Sequence, residues 1–140
     1  SAGWTFCDSD PGRAEEQARR WIGGYYQTVL DHYQFAGDHL AKTRGYEYYG
    51  KMSEKIAKYG TDKVIDYFMN LQVWGTPEQC VEKIVDIRSR VGCDTFVGVF
   101  SYAGMPWDEA ERNMRLFARE VLPALKRLED LPGQAAAPAA

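Results

Sequence analysis

Apolar side chains recur at steps of three and four residues in several stretches of the sequence, which is the spacing of amphipathic helices. The longest such stretch runs from Arg13 to Leu40. Its apolar positions are Ile22, Tyr26, Val29, Tyr33, Ala36 and Leu40, with Trp21 and Tyr25 beside them. Gly23 and Gly24 interrupt the stretch, and each disfavours a helix by about 1 kcal/mol relative to alanine. The pattern predicts one long helix in which these glycines mark either a close approach of backbones or a bend.

The clearest helix start lies at residues 75–79, Gly-Thr-Pro-Glu-Gln. Thr76 suits the N-cap, Pro77 suits the first helical position, and Gln79 is placed to complete a capping box. The apolar positions Cys80, Ile84, Ile87 and Val91 follow at helical spacing. Gly92 stands where a left-handed C-terminal cap belongs. We therefore predict a helix from Pro77 to about Val91.

Further helices are predicted after Gly45, after Gly60 and from Pro106. Their apolar positions are Met52 and Ile56 in the first, Val64, Ile65, Phe68 and Met69 in the second, and Ala110, Met114, Phe117, Val121 and Leu125 in the third. Pro123 is expected to bend or end the last helix, because proline removes a backbone donor.

Two segments have strand character. Residues 4–7 form a short β-like run that ends in the turn residues 8–12, and residues 95–100 are continuously apolar and β-branched. The second pattern is typical of a strand covered on both faces in a parallel sheet of an α/β fold. One or two strands do not form a stable parallel sheet. We therefore expect partner strands from outside the sequence.

Composition indicates an ordinary globular domain, with 140 residues, 45% apolar and 26% charged side chains. A net charge of -3 without a basic run disfavours nucleic-acid binding. The absence of a long apolar run or a leader excludes an evident membrane segment, and the isolated cysteines Cys7, Cys80 and Cys93 suit a reducing, cytoplasmic location. Residues 1–130 are expected to fold, whereas the Ala/Pro-rich residues 131–140 are expected to be disordered.

Few side chains suggest chemistry of their own. His32 and His39 would lie about 10.5 Å apart along a helix, too far to chelate one metal, and we predict no metal site. Ser101 lacks the context of a nucleophile, and its hydroxyl is expected to line a strand end. For Asp8, a role in the turn is favoured over proton transfer.

Four segments carry a resemblance to a known family. They are residues 73–80 (VWGTPEQC), 92–100 (GCDTFVGVF), 104–110 (GMPWDEA) and 117–123 (FAREVLP). Together they resemble the carboxy-terminal end of luciferase-like flavin-dependent monooxygenases. That family is a (β/α)8 TIM-type barrel, which needs about 250 residues. The resemblance implies that residues 4–7 are the seventh barrel strand, residues 95–100 the eighth, and the helices between them an insertion. The first six strands would lie outside this sequence, which opens at Ser1 and which we expect to be part of a longer protein.

The resemblance also implies where the functional residues lie, because such barrels carry the active site at the carboxyl ends of their strands. The residues expected to contact the cofactor are Ser101, Tyr102, Gly104, Met105, Gly75 and Thr76. Gly104 would allow close approach of a flavin ring, and the helix start at Thr76 could hold a flavin phosphate. Capping alone explains Thr76 as well, and we favour it. Tyr46 and Tyr49, together with Tyr48, are expected either to wall a substrate pocket or stack on a flavin, or to pack in the core.

The function implied is that of an oxidoreductase, a monooxygenase that uses reduced flavin, FMN or a deazaflavin, often with O2, on a small organic substrate. No catalytic acid or base is assigned to this segment, and the isolated chain is expected to be inactive. The alternative is a non-catalytic helical binding or self-association module derived from such an enzyme. Its strand residues Phe96, Val97 and Val99 would then need a partner, either the missing amino-terminal strands or a second copy of the chain, as in a homo-oligomer.

Overall fold

The computed structural model describes residues 1–129, with side chains described through Arg127. The predicted disordered tail, residues 131–140, lies outside the described residues. The elements in chain order are β1 (Ala2–Cys7), α1 (Pro11–Ala18), a π-helical turn (Arg19–Gly23), α2 (Gly24–His32), α3 (Glu47–Tyr59), α4 (Thr61–Asn70), β2 (Val73–Gly75), α5 (Pro77–Val91), β3 (Val97–Val99), α6 (Trp107–Leu116), a second π-helical turn (Phe117–Val121) and α7 (Leu122–Glu129). Within the described residues, no helix is long and apolar enough to cross a membrane.

A three-stranded parallel sheet lies at the centre, in the order β2-β1-β3. Thr5 is opposite Val73 in β2, while Ala2 and Trp4 are opposite Val97 and Val99 in β3. The sequence predicted one or two strands, and β2 was missed because it has only three residues directly before the capping box. Since the strands are parallel, their carboxyl ends meet at one edge of the sheet, which we call the carboxyl edge.

Helices cover both faces of β1. Phe6 belongs to one apolar core and Cys7 to the other, because successive strand residues point to opposite faces. The first core contains Phe6, Ala18, Trp21, Ile22, Leu30, Phe35, Val64, Ile65, Met69, Met105 and Ala110. The second contains Cys7, Val73, Cys80, Ile84, Leu116, Phe117 and Val121. The mostly helical chain is therefore an α/β unit built around a short three-stranded sheet.

The predicted eighth strand differs from the expectation. Only Val97–Val99 pair with β1, and the side chains of Val97 and Val99 are 55% and 36% exposed. The prediction that residues 95–100 form a strand covered on both faces is wrong for this chain. The reason is position, because β3 is an edge strand of the sheet.

The long helix predicted from Arg13 to Leu40 ends early, at His32. Gln34 takes a left-handed backbone with φ of 50°. Its N–H donates to Asp31 O at 3.2 Å, and the N–H of Phe35 donates to Leu30 O at 3.0 Å. This is a Schellman C-cap, and the accompanying apolar contact places Phe35 in the first core beside Leu30. The apolar spacing did not reveal it because glutamine, not glycine, occupies the left-handed position.

The two adjacent glycines mark a close approach of helices. A Cβ added at Gly23 would lie 3.3 Å from Ile65 Cγ2 and 3.4 Å from Met69 Sδ, both on α4. The backbone there is also wound as a π-helical turn. The sequence left open a close approach of backbones or a bend, and close packing is observed at Gly23. A Cβ added at Gly24 would meet nothing within 4 Å.

The helix predicted from Pro77 to Val91 is confirmed at both ends. Thr76 and Gln79 form the reciprocal capping box, and Gly92 is left-handed with φ of 66°. The helix predicted from Pro106 does not end at Pro123. It widens into the second π-helical turn and continues as α7 to Glu129.

Candidate functional site

The carboxyl edge brings three chain segments together. They are Cys7 with Asp8 at the end of β1, Gly75 with Thr76 at the end of β2, and residues 100–105 after β3. The N–H of Asp8 donates to Gly75 O at 3.1 Å, which joins the first two segments. The residues that the sequence assigned to the cofactor therefore share one edge, as parallel strand order requires.

The loop after β3 is a tight turn held at both ends. Ala103 and Gly104 both have positive φ, 54° and 69°, and Met105 N–H donates to Tyr102 O at 2.9 Å. This geometry corresponds to a type I′ turn. The hydroxyl of Tyr102 donates to Thr5 O at 3.1 Å, and Met105 is buried in the first core. The turn is thus fixed to β1.

The outer surface of this turn is open. Ser101 and Gly104 are exposed, and a Cβ built on Gly104 would meet nothing within 4 Å. Ala103 holds a left-handed backbone, which costs about 1–2 kcal/mol for a residue other than glycine. Such strain is concentrated at functional sites in proteins. Ser101 and Gly104 are therefore accessible to a ligand, while Tyr102 and Met105 support the turn from beneath.

The helix start at Thr76 is already occupied by the chain itself. Gln79 Oε1 accepts the Thr76 N–H at 2.9 Å, and Thr76 Oγ1 accepts the Gln79 N–H at 3.4 Å. The pKa of the Glu78 carboxyl is lowered, first by its own backbone N–H and then by the Thr76 hydroxyl. A phosphate at Thr76 would have to displace Gln79 and approach an ionised Glu78. This geometry favours capping, and the cofactor contact of Gly75 and Thr76 stays a prediction.

The tyrosines at the start of α3 form a surface aromatic cluster. Tyr46 and Tyr49 are 51% and 43% exposed, and their ring centroids lie 6.0 Å apart. Tyr49 stacks on Phe35 at 5.7 Å, whereas Tyr48 is 76% exposed. The cluster covers the edge of the first core, and its phenol rings remain partly exposed to a ligand. The substrate-pocket role of Tyr46 and Tyr49 therefore also stays a prediction.

A group of charged side chains at the carboxyl edge was not predicted from the sequence. Asp8 is 2% exposed and pairs with Arg13 and, at 2.7 Å, with Arg112. Glu109 pairs with the same two arginines at 2.7 and 2.6 Å. Burial lowers the pKa of Arg13, but Glu109 and Asp8 outweigh that effect, and the pKa is raised.

This charged group balances two carboxylates against two guanidinium groups, so it does not form an anion site. It ties α1 and α6 to the end of β1. The turn role assigned to Asp8 is also present, because Asp8 Oδ1 accepts the Asp10 N–H at 2.9 Å. Among the described residues no cluster of His, Cys, Asp or Glu could hold a metal ion.

Asn113 extends the sheet beyond the end of β3. Its Oδ1 accepts the Cys7 N–H and its Nδ2 donates to Thr5 O, both at 2.8 Å. Asn113 is fully buried on α6, where it occupies the place that a longer β3 would take. The available sequence signal was a polar residue three positions after Ala110 and four before Phe117, inside the apolar stripe of the helix.

Replacing Tyr102 with phenylalanine is expected to cost about 1 kcal/mol at neutral pH through loss of the hydrogen bond to Thr5 O. Burial raises the pKa of the Tyr102 phenol. The unfolded chain therefore releases this proton from about pH 10, before the folded protein does, and stability falls as the pH rises further. Urea unfolding of the full-length protein between pH 7 and 11 should show a shallower alkaline loss in Tyr102→Phe. Tyr48→Phe, at an exposed position, should keep the wild-type profile.

The chain is similar in sequence to known monooxygenases. The alkanal monooxygenase alpha chain of Aliivibrio fischeri is 29% identical over 122 residues, which is 85% of this chain and 34% of the relative. That of Photorhabdus luminescens is 29% identical over 125 residues, with shares of 87% and 34%. The chain is thus similar to luciferase-type monooxygenases. This confirms the resemblance found in the sequence, and the luciferase-like similarity extends well beyond the four segments that first indicated it.

The chain spans about a third of the length of these curated relatives. In structure it is similar to the monooxygenase RslO1 of Streptomyces bottropensis, with a TM-score of 0.51 and 18% identity. That similarity covers 89% of this chain and 30% of the other, and it concerns the fold. No protein-family profile matches the chain.

Proposed function

We propose that the chain is the carboxy-terminal part of a (β/α)8 barrel in a flavin-dependent monooxygenase that acts on a small organic substrate with reduced flavin and O2. The observation that carries this proposal is the similarity to alkanal monooxygenases over 85–87% of the chain. The name of those relatives designates an alkanal as their substrate, and we extend to this chain only the wider class of small organic molecules. FMN is the proposed cofactor, with a deazaflavin as the alternative.

The carboxyl edge is where the flavin would be held. Ser101 offers an exposed hydroxyl, and Gly104 allows a flat ring to approach the backbone without a side chain between them. Tyr102 and Met105 keep the turn in place through Thr5 and the first core. Gly75 and Thr76 lie at the neighbouring strand end. When bound, reduced flavin supplies the electrons for oxygen activation, and the protein positions the cofactor and excludes water.

The sheet itself favours completion by further strands. In the described part of the chain, β2 and β3 each pair only with β1, which leaves one open edge on either side. Val97 and Val99 are exposed beside one of these edges. A barrel has no open edges, so amino-terminal strands of the same polypeptide would cover both. We expect the isolated chain to be inactive because most of the eight barrel strands are supplied elsewhere.

A non-catalytic self-association module is the second candidate, and the same exposed edge of β3 favours it. Two copies could then pair through Val97 and Val99. The two candidates differ in a simple measurement. A flavin-binding protein whose mass matches the longer relatives supports the enzyme, whereas association of this chain alone without flavin binding supports the module.

Substitution of Gly104 tests the flavin site. Titration of the full-length protein with FMN, followed by quenching of flavin fluorescence, should give saturable binding. Gly104→Ala is expected to weaken it at least about fivefold, because a Cβ would stand between ring and backbone; that ratio is about 1 kcal/mol.

Gly92→Ala is the matched control for this substitution. Gly92 has nearly the same φ, 66° against 69°, and an added Cβ there also meets nothing within 4 Å. It lies at the opposite end of α5, away from the carboxyl edge. Equal weakening by both variants would contradict a flavin contact at Gly104. Absence of binding by FMN and by a deazaflavin would contradict the proposed function itself.

A further inference from the structure

A concave surface lies between α2, α3 and α4. It has a volume of about 310 Å³, near the lower limit for small-molecule sites. We call it the helical groove and define it by its lining residues: Tyr26, Met52, Lys55, Tyr59, Lys63, Val64, Tyr67, Phe68 and Leu71. None of the residues assigned to the flavin lines it.

The floor of the groove is apolar and ordered by ring stacking. The rings of Tyr26 and Phe68 are parallel, with centroids 4.0 Å apart. Phe68 also lies 5.5 Å from Trp4 on β1, so this ring separates the groove from the sheet. Desolvation raises the pKa of the Tyr26 phenol, as expected for a hydroxyl surrounded by apolar atoms. Leu71 and Tyr67 remain 54% and 65% exposed on the rim.

The charges on the rim have one sign. Lys55 and Lys63 are the charged side chains among the lining residues, and no carboxylate lines the groove. The Lys55 ammonium lies 6.0 Å from the centre of the Tyr67 ring. In the described part of the chain neither ammonium forms an ion pair, whereas Lys42 pairs with Asp38. An apolar groove with two cations and no anion is complementary to a ligand with an apolar body and a negative head.

We propose that the helical groove binds a medium-chain carboxylate, with the alkyl chain along Met52, Phe68 and Leu71 and the carboxylate between Lys55 and Lys63. A small amphiphile suits the site better than a protein partner does. A stable protein interface uses about 20–30 residues on each side. Nine residues line this groove, which matches a small molecule. The proposal does not depend on flavin binding, because none of the residues that line the groove is among those assigned to the flavin.

Titration calorimetry with decanoate, below the concentration at which it forms micelles, tests the proposal on the full-length protein. Decanoate is expected to bind with one site per chain, and decan-1-ol and decyltrimethylammonium at least about fivefold more weakly. The double variant Lys55→Gln/Lys63→Gln should weaken decanoate binding about five- to tenfold, as expected for two exposed charge pairs. Raising the salt concentration should reduce the difference in decanoate affinity between the wild type and the double variant.

A matched pair of lysines on α3 provides the control. Lys51 and Lys58 lie over the rings of Tyr48 and Tyr59, at 5.9 and 4.9 Å, and neither lines the groove. Lys51→Gln/Lys58→Gln removes the same charge and should leave binding unchanged. Leu71→Asp, at an exposed rim position, should abolish binding by repulsion without disturbing the core. Equal weakening by both lysine pairs, equal affinity for decan-1-ol, or no binding of decanoate would overturn the proposal.

Discussion

Asn113→Ala is expected to lower the free energy of unfolding by about 3 kcal/mol, because it leaves one buried backbone N–H without an acceptor and takes one of two donors from a buried carbonyl. The Cys7 N–H loses its acceptor, and Thr5 O loses one of its two donors. An unsatisfied buried N–H costs about 1–3 kcal/mol, and the loss of one hydrogen bond to a carbonyl that keeps another donor costs about 1 kcal/mol. Cys7 and Thr5 are fully buried, so bulk water does not reach them to replace the amide. Urea unfolding of the full-length protein at neutral pH measures the loss.

The other asparagine of the chain gives the control for this prediction. Asn70 is exposed at the end of α4, and Asn70→Ala keeps the backbone carbonyl that accepts the Lys83 ammonium. We expect it to change the free energy of unfolding by less than about 0.5 kcal/mol. If Asn113→Ala cost no more than Asn70→Ala, the role of Asn113 as a substitute strand partner would be wrong.

Local signals in the sequence predicted the helices well where the cap residues are explicit. The helix from Pro77 to Val91 was predicted at both ends, because Thr76, Gln79 and Gly92 each satisfy a backbone group within a few residues. The helix before Gly45 was predicted too long. Its end depends on a left-handed Gln34 and on burial of Phe35, which apolar spacing alone does not specify.

The sheet was harder to predict because pairing is a long-range property. Residues 95–100 have the composition of a buried strand, yet within this chain β3 has one neighbour and is half exposed. The apolar pattern suits the proposed barrel, in which further strands would cover those side chains.

The candidate site, like the sheet, could be predicted from the sequence only in part. Residues 101–105 were located by following a strand to its carboxyl end, a rule that holds for any barrel of parallel strands. The type I′ turn formed by Ala103 and Gly104 could not be inferred, since alanine rarely adopts positive φ. The pairing of Asp8 with Arg112 could not be inferred either, because the two residues are 104 positions apart in the sequence.

Gly75→Ala is expected to destabilise the protein by about 3 kcal/mol, through backbone strain and loss of the capping box together. Gly75 has φ of 134°, where a side chain costs about 1–3 kcal/mol. Its added Cβ would lie 2.4 Å from Gln79 Oε1 and 2.9 Å from Gln79 Cβ. Gln79 must therefore turn away from the Thr76 N–H, and losing a cap of this kind costs about 1 kcal/mol.

Two further variants separate the strain at Gly75 from the clash with Gln79. Gly60 also has positive φ, 82°, but an added Cβ meets nothing within 4 Å, so Gly60→Ala should cost only about 1–2 kcal/mol. In a Gln79→Ala background the cap is already lost and the Oε1 contact is gone, so Gly75→Ala should cost about 1 kcal/mol less than in the wild type. Urea unfolding of the four proteins of this cycle measures the coupling. Additive effects would show that Gly75 is required for its backbone conformation alone and that the capping glutamine plays no part.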